Sequence, residues 1–139
     1  MKRIIMLPIL LVFLTLPKTL LAEEKIKPTV RDFSWLLYKH LEIAFPLLDS
    51  IERTSTIYGE DDKELYKCID KAKNNLKQGK LFSNGLKKCP SYFSKQMVKM
   101  IKDGERNGLL NFVFRDFSDG IADGEFNKDE YCETISSQI

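Results

Sequence analysis

The sequence predicts an all-α fold, an antiparallel helical bundle of about six short helices. Three observations carry that prediction. Apolar residues recur at three- and four-residue spacing along most of the chain. Turns containing Gly or Pro interrupt those stretches at short intervals. No window shows the sustained alternation of β-branched residues that a strand needs.

Val30, Phe33, Leu37, Leu41 and Ala44 define a first amphipathic helix running towards Pro46. Pro46 suits the first turn of a second helix, where its missing N–H costs nothing. Leu47, Leu48 and Ile51 form its apolar stripe, ahead of a turn at Tyr58-Gly59. Asp61-x-x-Glu64 has the form of a capping box for the third helix. Leu65, Cys68, Ile69, Ala72 and Leu76 share one face of that helix, lysines and Asn74-Asn75 occupy the other, and Gly79 stops it. A short helix holding Leu86 follows, with Ser83 as its expected cap. Pro90 is expected to open the next, with Phe93, Met97, Met100 and Ile101 inward. Beyond a Gly104–Gly108 turn, Leu110, Val113, Phe114, Phe117 and Ile121 repeat at helical spacing. Asp123-Gly124 breaks the chain, and Asn127-x-x-Glu130 can cap a terminal helix with Tyr131 and Ile135.

The first residues read as a targeting segment. Lys2 and Arg3 precede an apolar run from Ile4 to Leu16, and Leu20-Leu21-Ala22 offers a cleavage site before Glu23-Glu24. Residues 1–22 are therefore a cleaved signal peptide or an uncleaved N-terminal anchor, shorter than the roughly 20 apolar residues of a spanning helix. Either reading puts the rest outside the cytoplasm. The protein is then periplasmic or secreted, or inner-membrane anchored with its domain outside, associating with the membrane through 1–22. A linker at 23–29, a helical domain at 30–121 and a terminal turn and helix at 122–139 complete the expected organisation.

Residues 1–22 hold three of the 22 basic residues and none of the 20 acidic ones, so without them the formal charge falls from +2 to −1. That balance lacks the basic excess of a nucleic-acid binder, and the lysines of 71–80 and 87–88 read as solvated helix faces. Three cysteines would meet an oxidising compartment. Cys68 lies eleven residues before Gly79 and Cys89 ten after it, so a hairpin at Gly79-Lys80 would bring their thiols level. A Cys68–Cys89 disulfide with Cys132 left over is one reading; small core residues is the other.

Catalytic signals are lacking. His40, the one histidine, has no Ser or Cys motif beside it, and neither paired carboxylates nor a phosphate loop stands out. The protein is expected to be no enzyme. One calcium-loop pattern occurs, from Asp119 through Asp123 to Glu130, with Ile121 where a third ligand belongs. It supplies an alternative function: an exported calcium-responsive binding protein using a degenerate EF-hand-like loop at 119–130.

The densest stretch is Met97 to Leu110, in which Gly104-Glu105-x-x-Gly108-x-Leu110 joins two apolar helices. Gly104 is positioned to close one helix in a left-handed conformation and Gly108 to let two helices approach, with Glu105 near a helix N-terminus. Ahead of it come Pro46-Leu47-Leu48, then Leu76 to Leu86 with its Gly79 turn, then Pro90-Ser91-Tyr92-Phe93. From Val30 to Ile121 this order resembles one domain of the type II secretion/type IV pilus F family. The resemblance implies a helical platform-type module, non-enzymatic, with secretion or pilus assembly components as partners and self-association as a homodimer. It also implies a partner-contact or turn role for Gly104, Glu105, Gly108 and Leu110. Calcium at a domain–domain contact is implied for Glu105, although Leu109, four residues on, brings no oxygen ligand. One such domain behind a signal-like segment points to an assembly or scaffold accessory more than to the platform itself.

Overall fold

The computed structural model describes residues 26–121. Six α-helices and no strand occur among them: α1 (Pro28–Glu42), α2 (Leu47–Tyr58), α3 (Lys63–Lys77), α4 (Phe82–Leu86), α5 (Lys95–Asn107) and α6 (Leu110–Ser118). The expected all-α bundle is what the chain forms. No helix among the described residues is long and apolar enough to cross a membrane.

Sequence neighbours pack against each other, and the most extensive contact joins the two ends, α1 and α6. Those two run antiparallel: Arg31, early in α1, donates from Nε to the carbonyl of Ser118 at the end of α6 (3.2 Å). Between them Phe33 meets Phe114 edge-on at 6.0 Å, and Phe114 meets Phe117 likewise at 5.8 Å. Offset or T-shaped pairs of this kind add about 0.5–1.5 kcal/mol beyond burial. The core continues through Leu37, Ile51, Leu65, Ile69, Phe82, Leu86, Phe93 and Ile101, all at most 1% exposed. The aromatics of α6 therefore face inward. Trp35, at 49% exposed, is the large aromatic left on the surface.

Helix ends account for most differences from expectation. The α3 cap is Asp62, one residue later than the Asp61-x-x-Glu64 pattern suggests, and its carboxylate accepts from Leu65 N–H (3.2 Å). It also accepts from Tyr92 Oη (2.9 Å) and Thr29 Oγ1 (3.0 Å), so one carboxylate joins the starts of α1 and α3 to the loop before α5. Asp61 is exposed and has no such set of donors. Pro90 opens no helix. It lies in a turn where the Cys89 carbonyl accepts from Tyr92 and Phe93 N–H, and α5 starts only after Ser94, whose hydroxyl caps Met97 N–H (3.2 Å). A side-chain oxygen in the right place outweighs the N1 preference of proline. At the other end of α1, Ala44 is exposed with a φ of 62°, off the apolar stripe, because the chain must leave the helix before Pro46. Ile121 is 48% exposed and not part of the core.

Candidate functional site

The Gly104–Leu110 segment is a helix ending, a close contact and a brace to a third helix. Gly104 does not close α5; it lies inside it, buried. A Cβ there would come within 2.9 Å of Val113 Cγ2 and 3.3 Å of Leu110 Cδ2, so the missing side chain is what seats α6 on α5. Gly108 is the residue in the left-handed region, with φ 70° and open space around it. Leu109 N–H reaches back to Gly104 O at 2.9 Å, the six-to-one bond of a Schellman ending. The two glycines thus exchange the roles the sequence suggested. Close approach needs residues on facing helices, and only Gly104 faces one.

Glu105 sits in the last turn of α5, yet it serves the start of α4. Its two carboxylate oxygens accept from the backbone N–H groups of Phe82 and Ser83, the latter at 3.0 Å. These are the first two residues of a five-residue helix whose cap position is Leu81, which has no side-chain oxygen to cap it. The orphan N–H groups and the positive end of the helix dipole are met by an anion from elsewhere in the chain. Ser83, expected as the cap, is buried inside the helix, and its Oγ has no hydrogen-bond partner.

The other side of α4 is fastened to α3. Gly85 lies so near Ala72 that an added Cβ would fall 2.4 Å from Ala72 Cα. Four residues on, Cys89 forms a disulfide with Cys68, with their Cα atoms 6.3 Å apart. The smallest helix is thereby held by a carboxylate from α5 and by the Gly85–Ala72 approach, with a covalent link to α3 three residues past its end. Leu110, half-buried, packs on the core at the start of α6.

Calcium residues fall differently. Both oxygens of Glu105 are engaged by backbone donors, and no group of three metal-ligating side chains occurs among the described residues. Asp119 is exposed just past α6. Asp123 and Glu130 lie outside the described residues, as do Cys132, residues 1–22 and the terminal helix expected after Asn127. His40 is half-buried with its ring 5.9 Å from that of Phe45, and no nucleophile is bonded to it. The arrangement can shape and present a surface.

Sequence reasoning missed the Asp62 hub and the reach of Glu105 to α4. Local patterns carry no signal for either, since the partners lie 22 to 33 residues away.

A short helix clamped from both flanks, beside a glycine-seated hairpin, defines an all-helical packing module. The family model for the type II secretion system protein F matches residues 33–131, well over half the chain, and the chain belongs to that family. It is also similar to the type IV pilus assembly protein PilC of Pseudomonas aeruginosa, at 29% identity over 92 residues. That match covers 64% of this chain and 24% of the relative, so the chain spans about a quarter of the relative's length.

Proposed function

We propose that this protein is a non-enzymatic assembly or scaffold component of a type II secretion or type IV pilus system, acting through protein–protein contacts of its F-type helical domain. Family membership over residues 33–131 is the observation that carries the reading. The assembly role printed in the name of the P. aeruginosa relative agrees with it. The surfaces offered are those the Gly104–Leu110 hairpin and its clamp hold in shape.

The domain works outside the cytoplasm in this reading. The basic, then apolar, segment at 1–22 supports export, and the Cys68–Cys89 disulfide suits an oxidising compartment. Photocrosslinking from surface positions such as Trp35 and Arg106, in cells assembling a pilus or secretion machine, tests the role. The expected adducts are with components of that machine. Adducts confined to unrelated proteins, with assembly unchanged when the gene is deleted, would overturn it. Fractionation with thiol trapping tests the location: a cytosolic chain with reduced Cys68 and Cys89 refutes export.

A further inference from the structure

A cavity of about 570 Å³ opens between α4 and the first half of α5. Its floor is apolar, made by Pro90, Phe93 and Val98. Around the rim stand Lys87, Lys95, Lys99 and Lys102, and no acidic side chain lines it. None of these four lysines takes part in a salt bridge or side-chain hydrogen bond among the described residues, as is also true of Lys71, Lys80 and Lys88. A second observation points the same way. Ser83 lines the cavity at 1% exposed, with its backbone N–H bound by Glu105 and its hydroxyl unpaired. A buried hydroxyl without a partner is destabilising, and an acceptor brought by a ligand would satisfy it.

We propose that this cavity is a docking site for an acidic segment of a partner protein, with one apolar side chain seated on Pro90 and Val98 and flanking carboxylates on the lysine rim. The volume falls in the range of small-ligand pockets, about 300–1,000 Å³, and takes one large side chain. Charge complementarity selects the flanks: four uncompensated cations with apolar ground between them match alternating acidic and apolar residues. A peptide carbonyl or carboxylate oxygen accepts from Ser83 Oγ. A membrane fits less well, because with Phe93 buried the cavity offers only Pro90 and Val98 as apolar surface, too little for insertion. Nucleic acid fits less well too, since the one aromatic in the lining, Phe93, is 1% exposed and offers no face for base stacking. The site requires only a partner of this chemistry and stands independently of any role in secretion or pilus assembly.

Fluorescence anisotropy with the full chain tests it. The probe is a labelled peptide of one leucine flanked on each side by two glutamates. Matched peptides carry glycine for the leucine or glutamine for the glutamates. The glutamate–leucine peptide is expected to bind with a Kd on the order of 100 µM at low salt and to weaken as salt rises. Lys99→Glu with Lys102→Glu should weaken it about tenfold or more, and each single Lys→Gln change about two- to fivefold. Ser83→Ala separates docking from structure: affinity drops while the melting temperature holds or rises. Equal binding of the glycine peptide, or indifference to Lys99 and Lys102, overturns the proposal. So does preference for phosphatidylglycerol vesicles or a single-stranded oligonucleotide over the peptide.

Discussion

Glu105→Ala removes the acceptor for two backbone N–H groups at once, Phe82 and Ser83. A hydrogen bond to a charged group contributes about 1.5–3 kcal/mol net, and the favourable charge–dipole placement adds about 0.3–1 kcal/mol. Both bonds are only part-buried, so water can reach the freed groups and recover a portion. The expected loss is about 2–4 kcal/mol, against a total of about 5–15 kcal/mol for a domain. Glu105→Gln keeps one carbonyl oxygen and so one of the two bonds, and should cost about half as much. Urea unfolding followed by far-UV circular dichroism, with the disulfide intact, measures both. Amide exchange localises the effect, which should appear first at Phe82 and Ser83. An alanine variant within about 0.5 kcal/mol of the parent, the range of an ordinary surface change, would show that the carboxylate does not hold α4.

Gly85→Ala drives a Cβ to 2.4 Å from the Ala72 backbone and should cost about 2–3 kcal/mol, read by the urea midpoint. Gly108→Ala meets no neighbour and should cost only the left-handed backbone, about 1 kcal/mol, with Gly108→Asn cheaper still. Reducing the Cys68–Cys89 bond, whose cysteines are 21 positions apart, should remove about 3 kcal/mol on the chain-entropy account, seen as a melting temperature lower with reductant than without it. Asp62 sets an acid limb. Burial alone would raise its pKa, but hydrogen bonds from Leu65, Tyr92 and Thr29 and the charge of Lys27 outweigh burial and hold it below the ordinary value. Its contribution is present above the unfolded value of about pH 3.9 and lost as pH falls through the lower folded value. Urea midpoints from neutral to strongly acid pH should fall less steeply in Asp62→Asn than in the parent.

Periodicity made the helices legible. The inward faces of α3 and α5 read straight from Leu65, Ile69 and Ala72 and from Met97, Met100 and Ile101, all of them buried. What periodicity cannot carry is which oxygen finds which helix end. The local pattern favours Asp61, with Glu64 three residues on, but Thr29 and Tyr92 arrive at its neighbour Asp62. Ser83 looks like a cap until Glu105, from a helix formed later in the chain, takes that place. The swap between Gly104 and Gly108 has the same origin. Both glycines satisfy a turn motif, and the facing Val113 decides which one must lack a side chain.

The antiparallel pairing of α1 with α6 also bears on how such a domain can be used. Arg31 reaches the Ser118 carbonyl, so the described chain enters and leaves the bundle close together. A unit built that way can be spliced into a longer polypeptide without prising its core apart, since the host chain need only detour and return. The same arrangement delays completion during synthesis. Phe33 can meet Tyr66, 6.1 Å away, early, but its contact with Phe114 waits until α6 has been made, so the core closes last where the two ends meet.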